Sequence, residues 1–85
     1  VPKSLSAIIR EKIDGGVLPV DVPVKLWIGS GSGKRCIVCG KRISTNQTEY
    51  EPQYGDHRIV IRLDDRCHRL WQAERRRRGV ADGDC

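Results

Sequence analysis

Cys36-Ile37-Val38-Cys39-Gly40 constrains this chain more than any other stretch. Two thiols two residues apart converge on one point when a tight turn folds the backbone round. The glycine that follows supplies the permissive φ such a turn needs. After an interval of 27 residues (40–66) a third thiol, Cys67, stands in Leu63-Asp64-Asp65-Arg66-Cys67-His68. A thiol pair on a turn, answered by a distant thiol, is a way of gripping tetrahedral Zn2+. The chain reads as a small zinc-finger-like domain.

Size supports that reading. A chain of 85 residues with no Phe and no Met buries a modest core, and domains of this length often lean on a metal or on disulfides. A structural zinc contributes about 10–16 kcal/mol of apparent binding energy, more than small cores supply on balance. One domain is expected over 1–85. Within it, residues 1–33 hold an N-terminal helix, a strand and a Gly/Ser loop, 34–78 the metal-binding core, and 79–85 a fraying tail. The start, Val1-Pro2-Lys3-Ser4-Leu5, lacks the apolar run of a signal peptide, and no stretch reaches the roughly 20 apolar residues of a membrane span. A reducing, cytoplasmic setting is expected, where C-x-x-C reads as metal or redox chemistry. Cys85 is a terminal thiol with no assigned role.

Ser4 to Asp14 carries Leu5, Ile8, Ile9 and Ile13 at helical spacing, with Ser4 or Ser6 as cap and Gly15-Gly16 as stop. Three turns are marginal alone, so this helix must dock. Val17 to Pro23 is held extended by its prolines. Val24 to Ile28 follows as a strand, with Val24, Leu26 and Ile28 on one face and Lys25 and Trp27 on the other. Trp27 is expected to shield the core, the alternative being an outward contact surface.

Gly29-Ser30-Gly31-Ser32-Gly33-Lys34 is not a phosphate loop. That motif needs Gly where Ile28 stands and Ser or Thr where Arg35 stands. It reads as a flexible turn, whose amides beside Lys34 and Arg35 could hold an anion. Lys41 to Gln47 reads as a polar loop. Glu49-Tyr50-Glu51 starts a strand, Pro52 to Asp56 turns, and His57 to Leu63 returns as the second strand of a hairpin. Asp64 to Arg75 is the second helix, with Asp64 or Asp65 as cap and Cys67, Leu70, Trp71 and Glu74 on one face. Arg75 to Arg78 close it and Gly79 ends it. The fold class is α+β.

Thiol turn, hairpin, then a helix whose first turn brings another thiol: this order resembles the treble-clef zinc fingers over residues 34–75. The chain is also similar to a group of small bacterial proteins in Leu18-Pro19, Trp27 to Gly31, Cys36 to Gly40 and Asp64 to Trp71. The resemblance implies a fold and a structural zinc, with Cys36, Cys39 and Cys67 as ligands. It departs where the pattern places His or Cys, since Asp64 stands three residues before Cys67. Asp64, His68 and His57 are the candidates for a fourth ligand, beside the alternative of none, in which the thiols are apolar filling and Asp64 is only a cap.

The formal charge is +5, with basic excess in 1–35 and in 67–85 and balance between. Two binding functions follow as expectations. In one, Lys34, Arg35, Lys41 and Arg42 around the thiol turn, with Arg75, Arg76, Arg77 and Arg78, contact the phosphates of DNA or RNA. In the other, the module is a protein-interaction adaptor working through the hairpin edge or first helix. An open zinc position would permit hydrolysis, but no good general base accompanies it beyond Asp65 or His68, so no enzyme is expected.

Overall fold

A computed structural model of the chain describes residues 4–55 and 60–80. It shows a small α+β unit: α1 (Leu5–Asp14), β1 (Lys25–Ser30), β2 (Thr48–Gln53), β3 (Leu63–Asp64) and α2 (Asp65–Arg77). The strands form one antiparallel sheet in the order β1-β2-β3.

Both helices start as the sequence predicts. Ser4 caps α1, its hydroxyl accepting from the Ala7 amide at 3.1 Å, and Asp64 caps α2 by accepting from the Cys67 amide at 2.8 Å. α1 ends at Gly15, and Gly16 beyond it has a φ of 80°, where a side chain would be strained. Its apolar stripe, Ile9 and Ile13 with Leu5 and Ile8 beside them, packs into a core completed by Leu18, Ile61, Leu63, Cys67 and Trp71. Trp71 is fully buried and donates its indole N–H to the Pro19 carbonyl at 3.0 Å. That bond ties α2 to the extended segment after α1.

The hairpin differs from expectation. Pro52 lies inside β2 rather than in a turn, opposite Leu26 of β1. The Gly31 amide donates to the Gln47 carbonyl at 2.9 Å, which sets the alternation of the β1–β2 ladder. By that alternation the N position of Pro52 faces away from β1, so its missing donor costs the ladder nothing on that side. On the other side β2 meets β3 through Glu49 with Asp64 and Tyr50 with Leu63. The next hydrogen-bonded pair would need a Pro52 N–H. The ladder therefore stops, and residues 60–62, expected as strand, are not strand. Residues 57–59, the start of that expected strand, lie outside the described residues, as do the tail from 81 and Cys85. The expected alternation survives without the strand: Ile61 and Leu63 are fully buried while Val60 is exposed.

Two loops are more ordered than their composition suggests. Ile43, in the segment read as polar, is 1 % exposed. The Gly/Ser turn is pinned at each amide in its centre: Gly31 to Gln47 O, Gly33 to Ile43 O, and Ser32 to the Glu49 carboxylate. Those amides are spent within the fold, so the expected anion cradle is not there. Gly31 is the reason the two loops can touch, because a Cβ at this residue would lie 2.0 Å from the Ser44 carbonyl oxygen and 2.4 Å from that of Ile43. Backbone on both sides cannot step aside. Gly31→Ala is expected to destabilise the chain by about 1–3 kcal/mol, the usual range for overpacking. Urea unfolding at neutral pH checks it, and Ser30→Ala, at an exposed neighbouring residue, should leave the midpoint almost unmoved.

Candidate metal centre

The thiol turn is built as its sequence predicts. The Cys36 amide donates to Lys41 O, the Gly40 amide donates back to Cys36 O at 3.0 Å, and Gly40 takes a φ of 75°. Arg35 and Arg42 bridge across the base of the turn. The Ile37 amide donates to Arg62 O at 2.9 Å, clamping the turn to the chain that enters β3. This bond delivers the two thiols to the N-terminus of α2, where Asp64 and Cys67 wait.

One ligand atom from each of Cys36, Cys39, Asp64 and Cys67 lies within 4.8 Å of all the others. In a tetrahedral zinc site with bonds of about 2.3 Å to sulfur, ligand atoms stand about 3.8 Å apart. Spacing and donor chemistry both suit a metal ion such as zinc. Asp64 serves twice. One carboxylate oxygen accepts from the Cys67 amide and caps the helix, while the other lies 3.3 Å from the Cys39 sulfur and turns into the cluster. The cap bond fixes the carboxylate so that its second oxygen is aimed, as groups behind a ligand commonly do.

The protonation pattern shows a cluster holding negative charge already. A hydrogen bond from the Cys67 thiol lowers Cys36 to about 5, against the effect of burial, and the Val38 amide adds a further donor to its sulfur at 3.4 Å. The Cys67 thiol is pushed up by that same bond and by burial, and Cys39 is raised chiefly by burial. Burial alone would raise Asp64, but hydrogen bonds from Cys67 and Cys39 outweigh it and its carboxyl sits below the usual value. Lys41 and Arg66 line the same shallow groove as Asp64 and oppose its charge.

The other candidate ligands lie elsewhere. His68 is buried and turned away, its ring stacked on Tyr50 with centroids 4.1 Å apart and planes 6° apart, and edge-on to Trp71. Tyr50 in turn donates its hydroxyl to Asp65 at 2.9 Å. His68 is thus a packing residue between sheet and helix. His57 lies outside the described residues.

The basic positions divide into two groups. Lys34, Arg35, Lys41 and Arg42 are exposed around the turn, with Arg35 and Arg42 each donating to a loop carbonyl, Gly40 O and Gly33 O. The arginine run is only partly engaged by the fold. Arg75 is 2 % exposed, its guanidinium 4.3 Å above the Trp71 ring. Arg77 and Arg78 both donate to the buried Glu74 carboxylate, and Arg78 also reaches Asp14 of α1 at 3.0 Å. Arg76 and most of Arg77 are exposed, and Arg78 links α2 to α1.

A residue unforeseen from the sequence is Glu49. It is 2 % exposed and accepts from the Ser32 amide and hydroxyl at 3.0 and 2.8 Å, with Arg62 at 3.6 Å. Alternation in Thr48-Glu49-Tyr50-Glu51 places it beside Glu51 on one face, but no local signal marks it as buried.

Glu74, two turns along α2 from Cys67, gives the fold a pH dependence of its own. Hydrogen bonds from Arg77, against burial, and then from Arg78 hold its carboxyl down from 4.5 to about 2. A carboxylate depressed in the folded state contributes stability that is complete above its unfolded value and is lost as pH falls through its folded one. Glu74→Gln is therefore expected to be less stable than the parent at pH 7. The gap should close as pH falls from about 4.5 towards 2, as read by urea midpoints across that range.

Comparison with protein-family models, with curated proteins and with solved structures finds no match for this chain, so the geometry of the cluster carries the functional reading.

Proposed function

We propose that the chain is a small non-catalytic module held together by one zinc ion, with nucleic acid as its partner. The observation that supports it is the convergence of Cys36, Cys39, Cys67 and Asp64 on one point. When bound, the ion would supply a crosslink between the thiol turn and the start of α2. Cys36, Cys39 and Cys67 would hold it through sulfur and Asp64 through its inward oxygen. The order of turn, strand pair and helix follows that of a treble clef. The partner reading rests on the exposed cations Lys34, Arg35, Lys41 and Arg42, which surround the turn and are positioned by it. Zinc thereby sets the geometry of the charge that meets phosphate.

A second reading, a protein-interaction adaptor, is favoured by the outer edge of β1. That edge carries no strand among the described residues, and Val24 and Ile28 beside it are 79 % and 55 % exposed. An open edge is a template for an added strand.

Two measurements test the first reading. Elemental analysis of chelator-free protein is expected to find about one zinc per chain, with folding dependent on it. Asparagine is as good a helix cap as aspartate but a poor zinc ligand. Asp64→Asn should therefore weaken zinc binding by more than about tenfold while leaving α2 intact, and Cys39→Ser should lose metal and fold together. Folded, metal-free protein would sink the zinc reading. For the partner, binding to random single-stranded RNA or DNA should fall steeply with salt. Alanine at Lys34 and Arg42 should reduce the slope of log K on log salt by roughly 0.7 for each phosphate that is no longer neutralised. Absence of binding even at low salt would turn the assignment to the adaptor.

A further inference from the structure

The sheet face turned away from α2 carries a cleft of about 390 Å³ whose lining includes Trp27, Lys34, Glu49, Glu51 and Arg62. Its floor is a tryptophan laid flat. A Cβ on Gly29 would lie 2.6 Å from two atoms of the Trp27 ring, so the indole rests directly on the bare strand at Gly29. Trp27 is nevertheless 43 % exposed, while the other tryptophan, Trp71, is fully buried. The ring thus shields little of the core and presents its second face to the cleft, the outward alternative for this residue.

The polar groups around that face have distinct states. Glu49 is satisfied by Ser32 and Arg62 and closes the cleft from below. Glu51 stands directly across the ladder from Trp27, on the same face, with about 5.5 Å expected between Cα atoms of such a pair. One carboxylate oxygen lies 3.8 Å from Arg62 Nε and the other accepts from the Gln53 amide at 3.4 Å, two long contacts that leave a further lone pair on each oxygen for a donor in the cleft. A carboxylate accepts only, so what it recognises must donate. Cations stand at both ends: Lys25 is two residues before Trp27 on the same face, and Lys34 lines the cleft beside the basic turn. In the middle of the cleft Arg62 offsets part of the charge of Glu49 and Glu51, while the cations at the ends have no carboxylate of the cleft paired with them in this way.

We propose that this cleft takes a guanine base from a single-stranded nucleic acid, stacked on Trp27 and donating its N1–H and N2–H edge to Glu51, with the flanking phosphates on Lys25 and Lys34. The inference rests on the nucleic-acid reading above and gives it a site. Guanine is the base with two adjacent donors on its pairing edge, matching the two oxygens of one carboxylate, whereas uracil would set carbonyl oxygens against it. Stacking on an open indole requires an unpaired base, which selects single strands over duplex.

Intrinsic fluorescence tests it, because Trp27 is exposed and Trp71 is a buried reference. A short alternating guanine–uracil RNA should quench the emission and bind more tightly than a uracil-only RNA of equal length. Trp27→Ala should abolish the quenching and weaken binding by about five- to a hundredfold, the worth of one base–aromatic stack. Trp27→Phe, which keeps a ring, should restore most of the affinity. Glu51→Gln should remove the preference for guanine while quenching persists. Salt-sensitive RNA binding with unchanged emission, or with full affinity in Trp27→Ala, would overturn the base site and leave the basic-turn reading standing. No RNA binding at any salt would overturn both. Free GMP binding as tightly as the RNA would overturn the assignment to a strand, since the flanking phosphates would then contribute nothing.

Discussion

The first turn of α2 is the point on which the structure depends. Asp64 ends the short β3 pairing, caps the helix through one oxygen and turns the other into the thiol cluster, all within one residue of the helix start. Three demands that a larger protein would spread over several positions fall on one residue here, two of them on its carboxylate. That double use suits Asp to a position where a softer ligand would bind a metal such as zinc more tightly. A His or Cys at this position would offer a ligand but a poorer cap, leaving an amide at the helix N-terminus without its partner. The price is a harder oxygen in a sulfur-rich site.

Around that point backbone bonds fix how the loops meet. The Ile37–Arg62 bond clamps the thiol turn to the segment that enters β3, and the Gly31 approach packs the Gly/Ser turn against the Ile43 loop. Pro52 then limits β3 to two residues, which frees 60–62 from the ladder while Ile61 still reaches the core. The segment 60–62 is thereby left to offer the Arg62 carbonyl to the Ile37 amide, while the Asp64 cap starts the helix directly after β3.

Much of this is legible in the sequence, and what is not has physical causes. Helix ends are readable because caps are local: Ser4, Gly15, Asp64 and Gly79 act on their neighbours alone. The thiol turn is readable for the same reason. Pro52 is misplaced by a sequence reading because a proline fits a turn and fits a strand whose N–H side is unpaired, and only the register of β1 decides between them. The Gly/Ser stretch reads as flexible because composition records the absence of side chains and not what approaches the space they leave. Of the fourth-ligand candidates, His68 is excluded by Tyr50, a residue distant in the chain whose ring claims its face.

Charge gives the sharpest instance of that gap between local and tertiary information. Four consecutive arginines dominate the sequence and invite a surface role, yet Arg75 lies over Trp71 while Arg77 and Arg78 close on Glu74. A run of cations on a helix must place about one in three or four towards the core, and here Glu74 and the indole make that placement favourable. The scattered pairs Lys34-Arg35 and Lys41-Arg42 are unremarkable as sequence, but the antiparallel bridge between Arg35 and Arg42 gathers them on one end of the molecule. Folding of the thiol turn therefore adds a basic cluster that the sequence does not advertise, beside the exposed Arg76 and Arg77 of the richest basic segment.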